Sequence, residues 1–433
     1  MTERNRELMS LVAVGALTAI GFASVYIARE AVISTASLSY AAIFFGLYLV
    51  AHIVARLTVP FADPYLLPIA GLLTAIGVTE IYRLQPSDAY RQGIWVVFGV
   101  ALFALTLLFF RDYRRLENYK YLFGLAAVGL LVLPALPVIG ATVNGARLWV
   151  KLGPLQFQPG ELAKLALIVF LAGYLREKRE VLAQGRLKDF GPLLVIWGGA
   201  MLVLVETNDL GSALLFFGIF LAMLYAATSR LLYVGIGAGL FVAGAVGAYA
   251  VVSRVSERVT VWLHPWTDHP VYCAQTGTMT LRQNCAGYQP VQSLYSISNG
   301  HFGGTGLGRG TFSTTSGHEL IPYLNTDFIY SALAQEVGLI GAAGLILVYM
   351  LFVARGFRIS LTADDGFSKL LALGLTFGFA LQTFIIVGGI LRLIPLTGIT
   401  LPFVSYGGSS VVANFILLAG LLLVSNRANA PRA

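Results

Sequence analysis

Stretches of about twenty apolar residues recur along this chain, separated by short segments that hold most of its 29 lysines and arginines. A helix of that length spans a bilayer, so the pattern points to an all-α polytopic membrane protein. Charged residues make up only 12% of the 433 positions, against about 25% in an ordinary globular domain, too few to cover a water-facing surface. The length alone would otherwise suggest roughly three soluble domains. The 47 glycines, 20 tyrosines and 27 phenylalanines suit close helix packing and interfacial aromatic belts. Nuclear, fibrous and disordered classes are excluded. The net charge of +8 does not signal nucleic acid, because the cations lie between apolar segments. Two cysteines rule out a disulfide-rich fold and a multi-cysteine metal centre.

Twelve candidate spans fall near 8–28, 38–57, 66–84, 92–110, 119–140, 160–176, 190–206, 211–228, 231–252, 327–354, 368–391 and 408–425. The first is too long, and lacks the small-residue cleavage pattern, for a signal peptide. The pair around 190–228 fits only if Glu206, Asn208 and Asp209 make a tight turn; otherwise the count falls. Lys and Arg set the orientation. Arg111, Arg114, Arg115, Arg176, Lys178, Arg179, Arg186, Lys188, Arg427 and Arg432 fall on the side of the N-terminus, which is therefore cytoplasmic, as is the C-terminus. Ser253 to Thr326, about 74 residues between the ninth and tenth spans, then lies outside, and a loop of that length is usually functional. The chain divides into N-terminal helices (1–140), core helices (141–252), the extracytoplasmic loop (253–326) and C-terminal helices (327–433).

Polar residues beside apolar helices are costly and therefore informative. Glu161 and Lys164, three apart at the start of the sixth span, share a helix face and can pair. A purely structural ion pair is one explanation. Arg147 and Lys151 before them, and Glu206 and Asp209 at the next outer turn, add charges of both signs at the same depth and suggest a polar cavity. The long loop contributes Arg254, Arg258, the His264-to-Pro270 turn with Asp268, and the glycine run Gly303 to Gly310. Such a run lets backbone N–H groups approach an anion, although a plain flexible turn explains it equally well. No strand precedes it, so it is no dinucleotide fingerprint. His264, Asp268 and His269 match no standard metal spacing. Cys273 and Cys285 lie in the same loop. An oxidising compartment permits a bridge, and closing that ring is worth about 3 kcal/mol in the chain-entropy picture; two buried thiols are the alternative. Asn325, Thr326 and Asp327 enter the tenth span. Pro395 to Ser410, which includes Ser405 and Tyr406, is irregular backbone at membrane depth, tolerated where it is buried in protein or lines a wet cavity.

The motifs GARLWV (145–150), QPGELAK (158–164), NDLGSALL (208–215), the loop Asp followed by GYQPVQS (287–293), GTGLGRG (304–310), TDFIY (326–330) with Glu336, and LTGITLPFVSYGGSS (396–410) resemble, in order, those of the SEDS family (shape, elongation, division and sporulation). These are bacterial peptidoglycan glycosyltransferases. Thr397, where division-type members usually carry Lys, resembles the elongation type. Five spans rather than three precede GARLWV, as in the actinobacterial variety, and the Cys273 to Cys285 segment is a further departure, close to Asp268.

The resemblance implies a SEDS-type helical bundle in the bacterial cytoplasmic membrane that polymerises lipid II on the outer face, releasing undecaprenyl pyrophosphate. Asp268 corresponds to the family's loop Asp; without the resemblance it would be an ordinary turn residue. A sugar hydroxyl is a poor nucleophile and needs one carboxylate as base. The leaving pyrophosphate needs charge stabilisation. Arg147, Lys164 and Arg258 are the candidates for that, oriented by Glu161 and Asp209, with Thr326, Asp327, Ser405 and Tyr406 as further cavity residues. A divalent cation, Mg²⁺ or Mn²⁺, could bridge the pyrophosphate to a carboxylate, but the sequence holds no dedicated cage. The resemblance also implies a class B penicillin-binding protein as partner. A lipid II flippase is the competing class, expected to show inverted repeats, broken helices and a midplane site; a scaffold without chemistry would need no loop Asp.

Overall fold

Each apolar stretch folds as a helix whose ends are set by its own punctuation. The computed structural model describes the chain apart from residues 1, 31–34, 138, 144–145, 154, 185–190, 208, 274, 314–318 and 432–433. Gly145, Arg186, Lys188, Asn208 and Arg432, invoked above, lie outside the described residues.

The helices run, in chain order, α1 (Glu3–Glu30), α2 (Thr35–Thr58), α3 (Leu66–Leu84), α4 (Pro86–Phe109), α5 (Lys120–Val132), α6 (Pro159–Glu177), α7 (Arg179–Ala183), α8 (Gly191–Glu206), α9 (Leu210–Thr228), α10 (Leu231–Val251), α11 (Ser253–Leu263), α12 (Tyr288–Asn299), α13 (Ile329–Thr362), α14 (Gly366–Ile390) and α15 (Gly408–Asn429). Pro86 and Pro159 open α4 and α6, where a missing N–H costs nothing. Asp209 caps α9 by accepting the Ser212 amide at 3.0 Å, and Asp365 caps α14 through the Ser368 amide at 2.9 Å. Each satisfies one orphan donor of a first turn.

Among the described helices, ten are long and apolar enough to cross a membrane. The expected sixth and seventh spans fall outside that group for physical reasons. α6 carries Glu161, Lys164, Arg176 and Glu177, and α8 has only 16 residues. α8 and α9 are joined through Thr207 and Asp209, with the Asp209 amide on Leu204 O at 2.8 Å. The fifth span runs from Tyr113 to Ala135, so it starts and ends sooner than expected. α5 ends at Val132, a single 3₁₀ turn over Leu133–Ala135 follows, and Gly140 already starts a strand. Pro134 explains the stop, since proline cannot continue the backbone ladder.

The loops carry more structure than the apolar pattern reveals. Strands β1 (Gly140–Val143), β2 (Ala146–Leu152) and β3 (Leu155–Phe157) form an antiparallel sheet in that order, pairing Gly140 with Val150 and Val150 with Phe157. In the 253–326 loop, β4 (Val271–Cys273) and β5 (Thr278–Thr280) make a short hairpin, bridged by the Cys273–Cys285 disulfide to the segment before α12.

α15 is the centre of the bundle, buried along nearly its whole length. α10, where Gly237 is the buried residue, stands at the periphery. α13 is broken at Gly338, whose φ of 67° and ψ of −174° suit glycine alone. Residues 301–306 fill the break. Leu339 and Ile340 donate to His301 O and Phe302 O at 2.9 and 3.2 Å, while Gln335 O and Glu336 O accept from Thr305 and Gly306 at 3.0 and 2.9 Å. Every freed group named here thus finds a partner, as hydrocarbon depth demands. At the other end of the bundle, buried Glu7 joins Arg4 at 2.5 Å and His52 Nδ1 at 2.6 Å, and Arg4 also donates to Ala62 O. This knot ties α1 and α2 to the connection leading into α3.

Candidate functional site

A cavity of about 1200 Å³ opens at one end of the bundle. Its wall is built from the first turns of α4, α6, α9 and α15, the last turns of α3 and α14, one side of α11, and the loops at 322–327 and 392–400. The N-termini of α6, α9 and α15 present the positive ends of their dipoles there, which favours an anionic ligand.

Seven of the anticipated residues line this cavity: Glu161, Lys164, Asp209, Arg258, Thr326, Asp327 and Tyr406. Lys164 Nζ lies 2.8 Å from Glu161 Oε2 and 2.6 Å from Gln382 Oε1. Gln382 in turn donates to Thr400 O at 3.0 Å, so the pair is wired to the irregular loop. Arg258, on α11, donates to Thr397 O at 3.2 Å and sits in the field of Asp209 and Asp327. Burial raises the Asp209 carboxyl above its ordinary range. Burial also pushes Asp327 up to about 6, with the positive charge of Arg258 opposing the rise. Arg258 itself is lowered, first by burial and then by the neighbouring Arg254. These carboxyls therefore hold a proton more readily than exposed ones.

Ser405 lies behind the wall. Its hydroxyl donates to Thr326 O at 2.6 Å and accepts the Leu401 amide at 3.0 Å. Tyr406 N donates to Asn325 O at 2.9 Å, and buried Gln92 of α4 clamps Ser405 O and the Gly407 amide at 3.2 and 3.1 Å. The segment 401–405 is buried throughout, which accounts for irregular backbone at this depth.

Arg147, Asp268, Cys273 and Cys285 are not among the residues lining the cavity. Arg147 is exposed on β2, beside Leu148 and Trp149, which do line it. Asp268 is exposed in the turn after α11. That turn is fastened through Thr267, whose amide donates to Gln283 Oε1 at 2.9 Å and whose hydroxyl accepts the Arg282 amide at 3.0 Å.

The glycine run resolves differently from a ligand loop. The amides of Gly308 and Gly310 donate to the carboxylate of Glu336 at 2.8 and 3.1 Å. Arg83 pairs with the same carboxylate at 2.6 Å and donates to Gly310 O. Glu80, buried one turn earlier in α3, shares a side-chain hydrogen bond with Glu336 and lies in the field of Arg83. Sequence reasoning missed Arg83, Gln382 and Arg392, all of which line the cavity. Gln382 could have been found, as a lone amide in an apolar helix; Arg83 and Arg392 lie at helix ends, where cations are commonplace.

The fold and the cavity define a multi-pass helical membrane protein with a polar chamber at one end of its bundle. Residues 61–430 match the sequence model of the cell cycle protein family FtsW/RodA/SpoVE. The peptidoglycan glycosyltransferase RodA of Mycobacterium tuberculosis is 38% identical over 451 aligned residues, covering 99% of this chain and 92% of that one. Among solved structures, a chain of a peptidoglycan synthase complex described as coordinating polymerization and crosslinking superposes with a TM-score of 0.66 at 28% identity, covering 85% of this chain and 98% of that one. The rod shape determining protein RodA of Thermus thermophilus gives 0.59 at 25% identity, over 86% and 98%. The chain belongs to the FtsW/RodA/SpoVE family.

Proposed function

We propose that this protein polymerises lipid II into β-1,4-linked glycan on the outer face of the cytoplasmic membrane during cell elongation. The observation that carries the proposal is the cavity itself, in which cations, helix N-termini and acids with raised proton affinity meet at one end of an apolar bundle.

Asp268 accepts the proton of the attacking 4-hydroxyl. Its turn follows directly on α11, whose Arg258 faces the chamber. The hydroxyl oxygen attacks the anomeric carbon of the second sugar with inversion, and the bond to pyrophosphate breaks. Arg258 and Lys164 stabilise the charge that develops on the departing phosphate oxygen, with Arg147 meeting the lipid-linked diphosphate at the sheet. Glu161 and Asp209 hold those cations in place. A divalent cation would add counter-charge; among the described residues no three His, Cys, Asp or Glu side chains gather to hold one.

α6 and α8 complete twelve crossings in this reading. Every connection that lines the chamber then falls on the side with fewer cations, which supports an extracytoplasmic site and cytoplasmic termini. The four-part division of the chain, with 253–326 as the catalytic loop, follows from the same placement. A class B penicillin-binding protein is the proposed partner, supported by the structural likeness to a peptidoglycan synthase complex.

The broken α13 is the observation that favours a lipid II flippase. Its freed groups, however, are occupied by the protein's own 301–306 loop, and the polar cluster lies at the edge of the bundle. The test is glycan synthesis from purified lipid II by the detergent-solubilised protein and its partner, wild type beside Asp268→Ala. Polymer from wild type alone supports both enzyme and base. Polymer from the variant removes Asp268 from the role, and none from either, with intact folding, moves the case to transport.

A further inference from the structure

We propose that Arg392 is the positioning residue that fixes the Asp268 turn against the chamber wall, clamping the end of α11 and the face of Trp266 with one guanidinium. The inference rests on Asp268 acting as the base. Arg392 lies just past α14 with φ of 58°, in the left-handed region that an L side chain occupies only where its surroundings over-determine it. Its surroundings do so. Nε and Nη2 donate to Trp262 O at 3.2 and 2.7 Å, and the Trp262 indole N–H donates back to Arg392 O at 3.0 Å. The Trp262 carbonyl is one of the last in α11, an orphan acceptor at the negative end of the dipole, so a cation there is doubly favoured.

The same guanidinium stands 5.3 Å from the centre of the Trp266 ring, within cation–π reach. Trp266 is two residues before Asp268, and its indole N–H meets Tyr295 Oη at 3.3 Å. The other ties of the turn run inward to the loop. Thr267 bonds Gln283 and Arg282, and Arg282 donates to His264 O at 2.7 Å. Those bonds join the turn to the disulfide-linked segment. Arg392 joins it to the chamber, which its own side chain lines. A glycine at 392 would accept the backbone conformation without strain, so arginine at this position points to a task for the side chain.

The experiment compares Arg392→Gly and Arg392→Lys with wild type in the full-length solubilised protein with its partner. Two readouts are taken: lipid II polymerisation kinetics, and hydrogen exchange at the His264 and Thr267 amides, both hydrogen-bonded in the structure. The glycine variant should lose at least tenfold in kcat with KM within twofold, and exchange at both amides should rise at least tenfold. Lysine, which keeps the charge but not the paired donors, should recover part of both. Unchanged exchange overturns the clamp. Raised exchange with unchanged kcat overturns the positioning role, and a rise in KM alone would make Arg392 a substrate contact instead. If the glycine variant does not fold, Arg392→Lys and Trp266→Leu carry the same readouts. Asp268→Ala measured alongside separates the two assignments: polymer from that variant ends the base reading, while the exchange data still report the clamp.

Discussion

The Gly308 amide donates to Glu336 Oε2 at 2.8 Å, so the anion cradled by the glycine-rich loop is one of the protein's own carboxylates. The loop that looks made for phosphate is a structural seat. Gly308 has φ of 81°, and a Cβ there would come within 2.6 Å of Ala28 on α1. The seat is therefore pressed from the other side by the first helix.

Gly308→Ala should destabilise the protein by about 1–3 kcal/mol through backbone strain and that contact, read as a lower apparent Tm in detergent. Glu336→Gln should cost more, about 3–5 kcal/mol, because Arg83 loses its buried partner. Glu80→Gln replaces one of two hydrogen-bonded buried carboxyls with an amide that can still donate to Glu336, and should be neutral or stabilising. A large loss from Glu80→Gln with none from Glu336→Gln would reverse this assignment of roles.

Lys164 is 2% exposed and Glu161 11%. Truncating either to Ala leaves a charge unpaired in low dielectric, at about 3–5 kcal/mol, so both should lower folded yield as well as synthesis. Size-exclusion recovery after solubilisation is the measure, and wild-type recovery of both variants would contradict a buried pair. Gln382→Leu, which keeps the pair and its contact with the Thr400 hydroxyl but removes the amide's bonds to Lys164 and to Thr400 O, should reduce synthesis with a smaller effect on yield.

Asp327 titrates near 6 in the folded chain, above the range of an exposed carboxyl. The folded state therefore holds a proton that the unfolded state has released. Its contribution to stability is fully present below about pH 4 and is lost as pH rises through about 6, by up to about 3 kcal/mol. Asp327→Asn should flatten the apparent Tm across this window. A wild-type slope in the variant would place the titration elsewhere.

Cys273 and Cys285 close a ring twelve positions long. Replacing both with Ser should release about 3 kcal/mol of loop restraint and open the 271–285 segment to protease, while glycan synthesis falls but persists. A complete loss would give the bridge a role in the chemistry itself.

The membrane helices were legible because lipid demands long apolar stretches, and α3, α9 and α14 fall within a few residues of expectation. The fifth span was overrun because Leu136 to Gly140 is as apolar as a helix; only the prolines and the pairing with β2 divert it. The break in α13 was hidden for the opposite reason. Gly338 is one glycine among 47, and it is the docking of residues 301–306, distant in sequence, that fixes its conformation. Glu161, Lys164 and Asp209 were found because ionised groups at such depth need a reason. Arg392 stayed hidden because its partners are carbonyls, which no sequence motif records.

An interrupted membrane helix is commonly taken as a place where a protein can flex. In α13 the interruption works as a welded corner. Four backbone bonds bind its two arms to residues 301–306, and hydrocarbon offers no water to replace any of them. Motion at Gly338 would have to carry the glycine-rich loop, Glu336 and Arg83 along with it. Through Glu336 and Arg83, the corner of α13 is joined to the chamber wall, which Arg83 lines.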